Sequence, residues 1–152
     1  MVRYSVRALT VLVVLVTAVA LAPAGPAHAQ SRAASVGDQV VQKTNVQRQR
    51  HGQRTLRTQA CLTTMAQRQA RRMAKRGTLF HQDLHRVARR CNVRMAGENV
   101  AYGYRNGQAT VRAWMKSPSH RSNILERRFR LIGVGVVRKN GQWWVAQVFG
   151  RK

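Results

Sequence analysis

The sequence predicts an α+β fold: a three-layer α-β-α sandwich around a central, mostly antiparallel sheet. Helical periodicities fill the first two-thirds of the chain, and the clearest strands come last, as a hairpin. Both faces of those strands carry apolar residues. A sheet that is apolar on both sides must be covered on both, and the preceding helices are the elements available to cover it.

The first helix is expected from Gly37 to about His51, with Val36, Val40, Val41 and Thr44 on one side and Gly52 as its C-cap. A second runs from about Thr58 to Lys75, where Leu62, Ala66, Ala70 and Met73 recur at helical spacing. Its opposite face, with Arg68, Arg71, Arg72, Lys75 and Arg76, reads as solvated. Gly77 ends that helix, Leu79-Phe80-His81 follow in a loop, and Asp83 to Arg94 is less patterned. Met95 to Ala101 reads as a loop entering a short strand, and Gln108 to Lys116 as a short helix. Pro118 disfavours the α region for Ser117, so this helix stops there and a new one starts with Pro118 at its first position and Ser117 as its cap. Leu131 to Arg138 and Gln142 to Phe149 flank Asn140-Gly141, the strongest short-range hairpin turn. Gly133 and Gly135 on one face leave room for a close neighbour.

The start of the chain has the form of a secretory signal peptide: Arg3 and Arg7, an apolar run from Ala8 to Leu21, and a small-x-small site at Ala27-His28-Ala29. Pro23, Gly25 and Pro26 cut the apolar run short of the roughly 20 residues that a spanning helix needs. The expected organisation is a signal peptide over 1–29, a flexible leader over 30–36 and one domain over 37–152, exported with no membrane anchor after cleavage. Cys61 and Cys91, both in the exported part, then form one disulfide closing a loop of about 30 residues, worth roughly 3–4 kcal/mol in the chain-entropy model.

The charge balance is extreme, with 28 basic residues against 4 acidic ones and a formal net charge of +24. Arginine supplies 23 of the 28, which suits bidentate contact with phosphate or carboxylate. Anionic partners are therefore favoured: cell-wall polymers or acidic lipid surfaces. Nucleic acid fits poorly, because few aromatics are available to stack bases, no reading motif occurs, and export points away from an intracellular target.

Three polar residues stand out. His120 falls in the first turn of the restarted helix, where the dipole disfavours imidazolium. His81 follows a helix, and Glu98 sits in an apolar neighbourhood that requires a partner for a carboxylate. Taken alone, His120 reads as a capping and packing residue; two histidines and a carboxylate could also supply three ligands of a zinc site with an open fourth position. Their spacing matches no metalloprotease helix motif.

An ordered set of motifs extends these readings. Asn45-Val-Gln-Arg48 with Gly52 and Leu56, then Met73-Ala74 leading to His81, Gly97-Glu98-Asn99-Val-Ala, Trp114 followed by Ser117-Pro-Ser-His120-Arg-Ser-Asn123, Ile132-Gly-Val-Gly-Val and Val148-Phe149-Gly150 run from Val40 to Phe149. The chain in this respect resembles a CAP domain, the superfamily of cysteine-rich secretory proteins, antigen 5 and pathogenesis-related proteins, in its short bacterial form. The resemblance implies the same α-β-α sandwich and a central cavity lined in many members by two histidines and two glutamates. His81, Glu98 and His120 match three of the four, while Ser117 stands where the second glutamate is expected. It further implies that Asn45, Asn99, Asn123 and Trp114 are scaffold residues. The function it implies is a non-enzymatic extracellular binding module for an anionic envelope polymer, a lipid or a partner protein. A metal-dependent hydrolase, with zinc on His81, His120 and Glu98, is the alternative.

Overall fold

The computed structural model describes residues 26–152, and of 26–30 the backbone alone. The elements run α1 Pro26–Arg50, β1 Arg57–Thr58, α2 Ala60–Arg76, α3 Leu84–Cys91, β2 Met95–Tyr102, α4 Gly107–Lys116, α5 Pro118–Leu125, β3 Leu131–Lys139 and β4 Gln142–Arg151. The strands lie in the order β1-β3-β4-β2; β1 is parallel to β3 and the other pairings are antiparallel. Asn140 and Gly141 both take positive φ, 49° and 75°, the primed turn that matches the twist of a hairpin.

Each face of the sheet has its own core. Val145 and Phe149 of β4 join Val40 of α1, Trp114 of α4 and Ile124 of α5 on one side. Trp144, Ala146 and Val148 join Leu62, Ala70 and Met73 of α2 and Val87 of α3 on the other. Burying each large apolar side chain stabilises the fold by about 1.5–3 kcal/mol. The alternation along β4 thus produces the expected sandwich. The glycine pair in β3 sets its thickness: a Cβ on Gly133 would lie 2.2 Å from the backbone of Leu62 and Thr63, and one on Gly135 2.2 Å from that of Ala66 and Gln67. Only bare backbone lets α2 settle this close.

Helix ends follow their caps. Gly52, at φ 67°, closes α1 with its N–H donating to the carbonyl of Gln49 and that of Gln53 donating to Arg48. Gly77 ends α2 in the same left-handed region. The disulfide joins Cys61 in the first turn of α2 to Cys91 at the end of α3, with Cα atoms 5.5 Å apart.

Several expectations need correction. Residues 30–36 are helical and belong to α1, and Val36 is buried against the start of α4. The two helices touch backbone to backbone, since a Cβ on Gly107 would come within 2.5 Å of the Val36 carbonyl oxygen. Most of the expected signal peptide, 1–25, lies outside the described residues. The less patterned stretch contains α3, whose first turn Asp83 caps by accepting from the Arg86 N–H at 3.1 Å. Residues 95–97 are strand rather than loop, and β1 precedes α2 as a short edge. Among the described residues no helix is long and apolar enough to cross a membrane.

Candidate functional site

The polar residues singled out from the sequence gather around the free edge of β2, which pairs with β4 alone. The pleat sends neighbouring side chains to opposite faces, so Glu98 reaches the α2–α3 connection while Asn99 reaches α5.

Glu98 is enclosed. Its Oε2 accepts from the Gln82 backbone N–H at 3.1 Å and lies 2.8 Å from Nδ1 of His81; its Oε1 accepts from the Gln82 amide at 2.6 Å. The carboxyl is fully buried, whereas the His81 side chain is 58% exposed. Burial pushes the Glu98 pKa up, against the hydrogen bonds from Gln82 and His81, which favour the charged form. Gln82 Oε1 is buried with no partner. Exchanging the two ends of that amide would set this oxygen against Glu98, where a protonated carboxyl could donate to it. Upstream, buried Gln69 of α2 donates to the Phe80 carbonyl and so fixes the connection that carries His81 and Gln82.

His120 occupies the first turn of α5. Its Nδ1 lies 2.9 Å from the Ser117 hydroxyl, and its ring is 6.4 Å from that of Trp114. Burial lowers its pKa, and the charge of His81 across the edge lowers it further. The shift has the direction expected from the sequence, with burial as its main cause. Ser117 has the extended backbone of a cap, φ −98° and ψ 120°, but its side chain makes no cap hydrogen bond and turns to His120 instead.

The expected zinc set does not assemble. Among the described residues no three His, Cys, Asp or Glu side chains form a group that could hold a metal ion. Both Glu98 oxygens are engaged by Gln82 and His81, and His120 Nδ1 is directed to Ser117. The arrangement is a hydrogen-bonded clamp between the α2–α3 connection and the edge strand, with an exposed imidazole on one side and a half-buried one on the other.

The other face of β2 is held by amides. Asn123 donates to the Glu98 carbonyl and to Asn99 Oδ1, both at 3.0 Å; Asn99 donates to Gln147 Oε1 at 3.1 Å and to the His120 carbonyl at 3.2 Å; Gln147 donates to Thr44 at 2.7 Å. This chain ties α5, β2, β4 and α1 together through the core. Trp114 Nε1 donates to the Val100 carbonyl at 3.1 Å. The carbonyls of Glu98 and Val100 share one edge, so Asn123 and Trp114 cap an edge that would otherwise be open to pairing. Asn45 exchanges two hydrogen bonds with the Leu56 backbone, at 2.8 and 3.0 Å, and fixes the entry to β1.

Two participants escaped the sequence reading. Gln82, the principal donor to Glu98, is marked only by adjacency to His81. Arg48, fully buried in α1, donates to the carbonyls of Arg54, Ile124, Glu126 and Phe129 and so anchors the segment after α5. Its place in the Asn45–Arg48 motif was the available signal.

Residues 41–149 match the family model described as CAP, the cysteine-rich secretory protein family. The chain is 32% identical over 131 residues to YkwD, an uncharacterized protein of Bacillus subtilis, with 81% of this chain and 50% of that protein covered. It is similar in structure to an extracellular protein containing a SCP domain from Bacillus anthracis, with a TM-score of 0.77, 27% identity, and coverage of 86% of this chain and 45% of that one. An outer surface protein of Borrelia burgdorferi shares the fold, with a TM-score of 0.70 at 18% identity over 77% of this chain and 92% of that one. The chain spans about half the length of YkwD and of the B. anthracis protein.

Proposed function

The chain belongs to the CAP, or cysteine-rich secretory protein, family, and from that premise we propose that it acts outside the cell as a non-enzymatic binding module for an anionic envelope component. The observation that carries this reading is the division of labour among its charges. Of the four acids, Asp83 caps α3, Glu98 is clamped in the core and Glu126 pairs with Arg128 at 2.8 Å. Three of the four acids thus serve the scaffold, the fourth, Asp38, lies exposed on α1, and a large cationic surface remains for a partner. The extracellular SCP-domain protein from B. anthracis is a relative of fitting location. Lipid and protein partners belong to the same reading, because any of them would meet the same arginine-rich surface.

The hydrolase alternative requires His81, Glu98 and His120 to share one ion; both Glu98 oxygens are held by Gln82 and His81, and among the described residues no three such side chains form a metal-holding group. The clamp supports a scaffolding role for these residues.

An attachment held by charge weakens with salt. Purified protein incubated with isolated envelopes should sediment with them at low ionic strength and be released at high. Equal partition at both would sink the electrostatic reading.

A further inference from the structure

The far edge of the sheet from the His/Glu clamp carries an arginine-lined trough. Arg54 and Arg57 from β1 and its approach, Arg127 and Arg130 from the α5–β3 connection, and Arg151 and Lys152 at the end of β4 converge on one hollow of about 580 Å³. A second hollow, of about 540 Å³, shares Arg54, Arg57 and Arg130 with it. All six cationic side chains are exposed. Among the described residues the only carboxylate ion-paired at this trough is Glu126, which takes Arg128 on its rim. Like charges so gathered repel and weaken the compact state, so a ligand that neutralises them binds with that repulsion relieved.

We propose that this trough binds successive phosphodiester groups of a linear polyol-phosphate polymer, a proposal that rests on the binding-module reading and specifies its site and ligand. The cations approach from three separate segments rather than from one side. A tetrahedral phosphodiester presents oxygens in several directions and can engage guanidinium forks from opposing walls, whereas a planar carboxylate offers one edge to one fork. Two hollows with three arginines common to both give successive places for ligand, and each falls within the range of about 300–1,000 Å³ that holds a small ligand, which suits a short run of polymer units. Arg128, Gly52, Gln53 and Leu131 supply the rest of the first hollow's lining, so no aromatic ring is available there for a nucleobase. Tyr102, an exposed aromatic that could enter a bilayer, lies on β2, at the opposite edge of the sheet.

The test measures binding of purified protein to a poly(glycerol phosphate) chain by titration calorimetry at about 0.1 M salt, where exposed charges are screened beyond about 10 Å. Arg54→Gln with Arg57→Gln should weaken binding by about tenfold or more, as loss of two charge-assisted contacts implies. Arg68→Gln with Arg71→Gln, which removes the same charge from exposed positions on α2, should change it less than about threefold. Equal weakening by both pairs would overturn the trough in favour of diffuse attraction. Polyglutamate of equal charge binding as tightly would overturn the phosphate assignment. Tighter single-stranded DNA binding, or phosphatidylglycerol vesicles that bind through the same two arginines as tightly as the polymer, would overturn the polymer assignment. Envelope partition by the same variants separates the two levels: salt-sensitive attachment indifferent to Arg54 and Arg57 defeats the trough alone, and salt-insensitive wild-type attachment defeats the binding-module reading.

Discussion

Replacing Arg48 with Met tests how the segment that brings Arg127 and Arg130 to the arginine trough is held in place. The guanidinium is fully buried, and among the described residues no carboxylate pairs with it; burial and the charge of Arg130 lower its pKa, partly offset by Glu126. It is retained by four carbonyls, three of them at 2.7–2.9 Å and that of Phe129 at 3.4 Å. Charge-assisted hydrogen bonds contribute about 1.5–3 kcal/mol each, so the three short ones supply about 5–9 kcal/mol gross. Removing a buried charge recovers part of its desolvation penalty, and the Met stem preserves much of the packing, so a net loss of about 3–5 kcal/mol is expected. For a domain of this size that is a fall in Tm of about 10–20 °C by circular dichroism with the disulfide intact. Arg48→Lys keeps the charge without the fork and should fall between wild type and the Met variant. A Met variant melting within about 3 °C of wild type would refute the reasoning, because a loss below about 1 kcal/mol would mean the carbonyls find water or other donors.

Glu98→Gln removes an ionisable group whose folded-state pKa is raised by burial, so wild-type stability from this site is fully present below the ordinary carboxylate pKa and lost as pH rises through the folded value. The variant should therefore gain on wild type across that window by up to about 1.4 kcal/mol per pH unit in urea unfolding, and a difference constant with pH would defeat the raised pKa. Gly135→Ala must push α2 away from β3 and should destabilise by about 2–3 kcal/mol in the same assay, with an unchanged midpoint showing that the helix backbone gives way freely. Cys61→Ser with Cys91→Ser opens a loop with a sequence separation of 30 and should lower stability by about 3–4 kcal/mol; a loss below about 1 kcal/mol would show the disulfide to be dispensable. Ser117→Glu places a carboxylate beside His120 and at the start of α5, so the imidazole pKa, lowered by burial in wild type, should rise in an NMR titration. An unmoved His120 titration would show that the new carboxylate points to solvent.

What the sequence disclosed of the fold was disclosed where one local rule acted without competition. Pro118 could only end one helix and start another, Asn140-Gly141 could only make a primed turn, and the β3 glycines could only admit a close neighbour. Elements were missed where composition concealed the pattern. In α3, eight residues include two histidine- or arginine-flanked apolar positions that are buried, Val87 and Cys91, and the charges between them mask a periodicity that begins at Leu84 and a cap at Asp83. The start of α1 reads as a polar leader because its inward residues are mostly small, with Val36 the first large one to be buried. The two residues of β1 are both exposed and carry no alternation at all.

The site was legible as a set of residues but not as a set of bonds, and the difference lies in the period of the strand that carries it. Glu98 and Asn99 are adjacent in sequence yet serve opposite layers, so the stretch that looks like one polar motif is two networks back to back. Glu98 is matched to Gln82 and His81, from a connection whose path depends on Gln69; Asn99 is matched to Gln147 and Asn123, separated from it by 48 and 24 positions. Such partners have no local signature, because each is chosen by the packing of whole layers. The three-ligand zinc expectation counted donors without their hydrogen-bond partners, and among the described residues no three such side chains group as a metal site. Arginines show the converse. Arg48 and Arg54 are of one residue type and six positions apart, yet burial makes the first a structural anchor, while the second is left exposed in the trough with its own carbonyl holding the anchor in place. The basic charge of the chain is thus divided by burial, one cation spent inside to shape the surface on which the others converge.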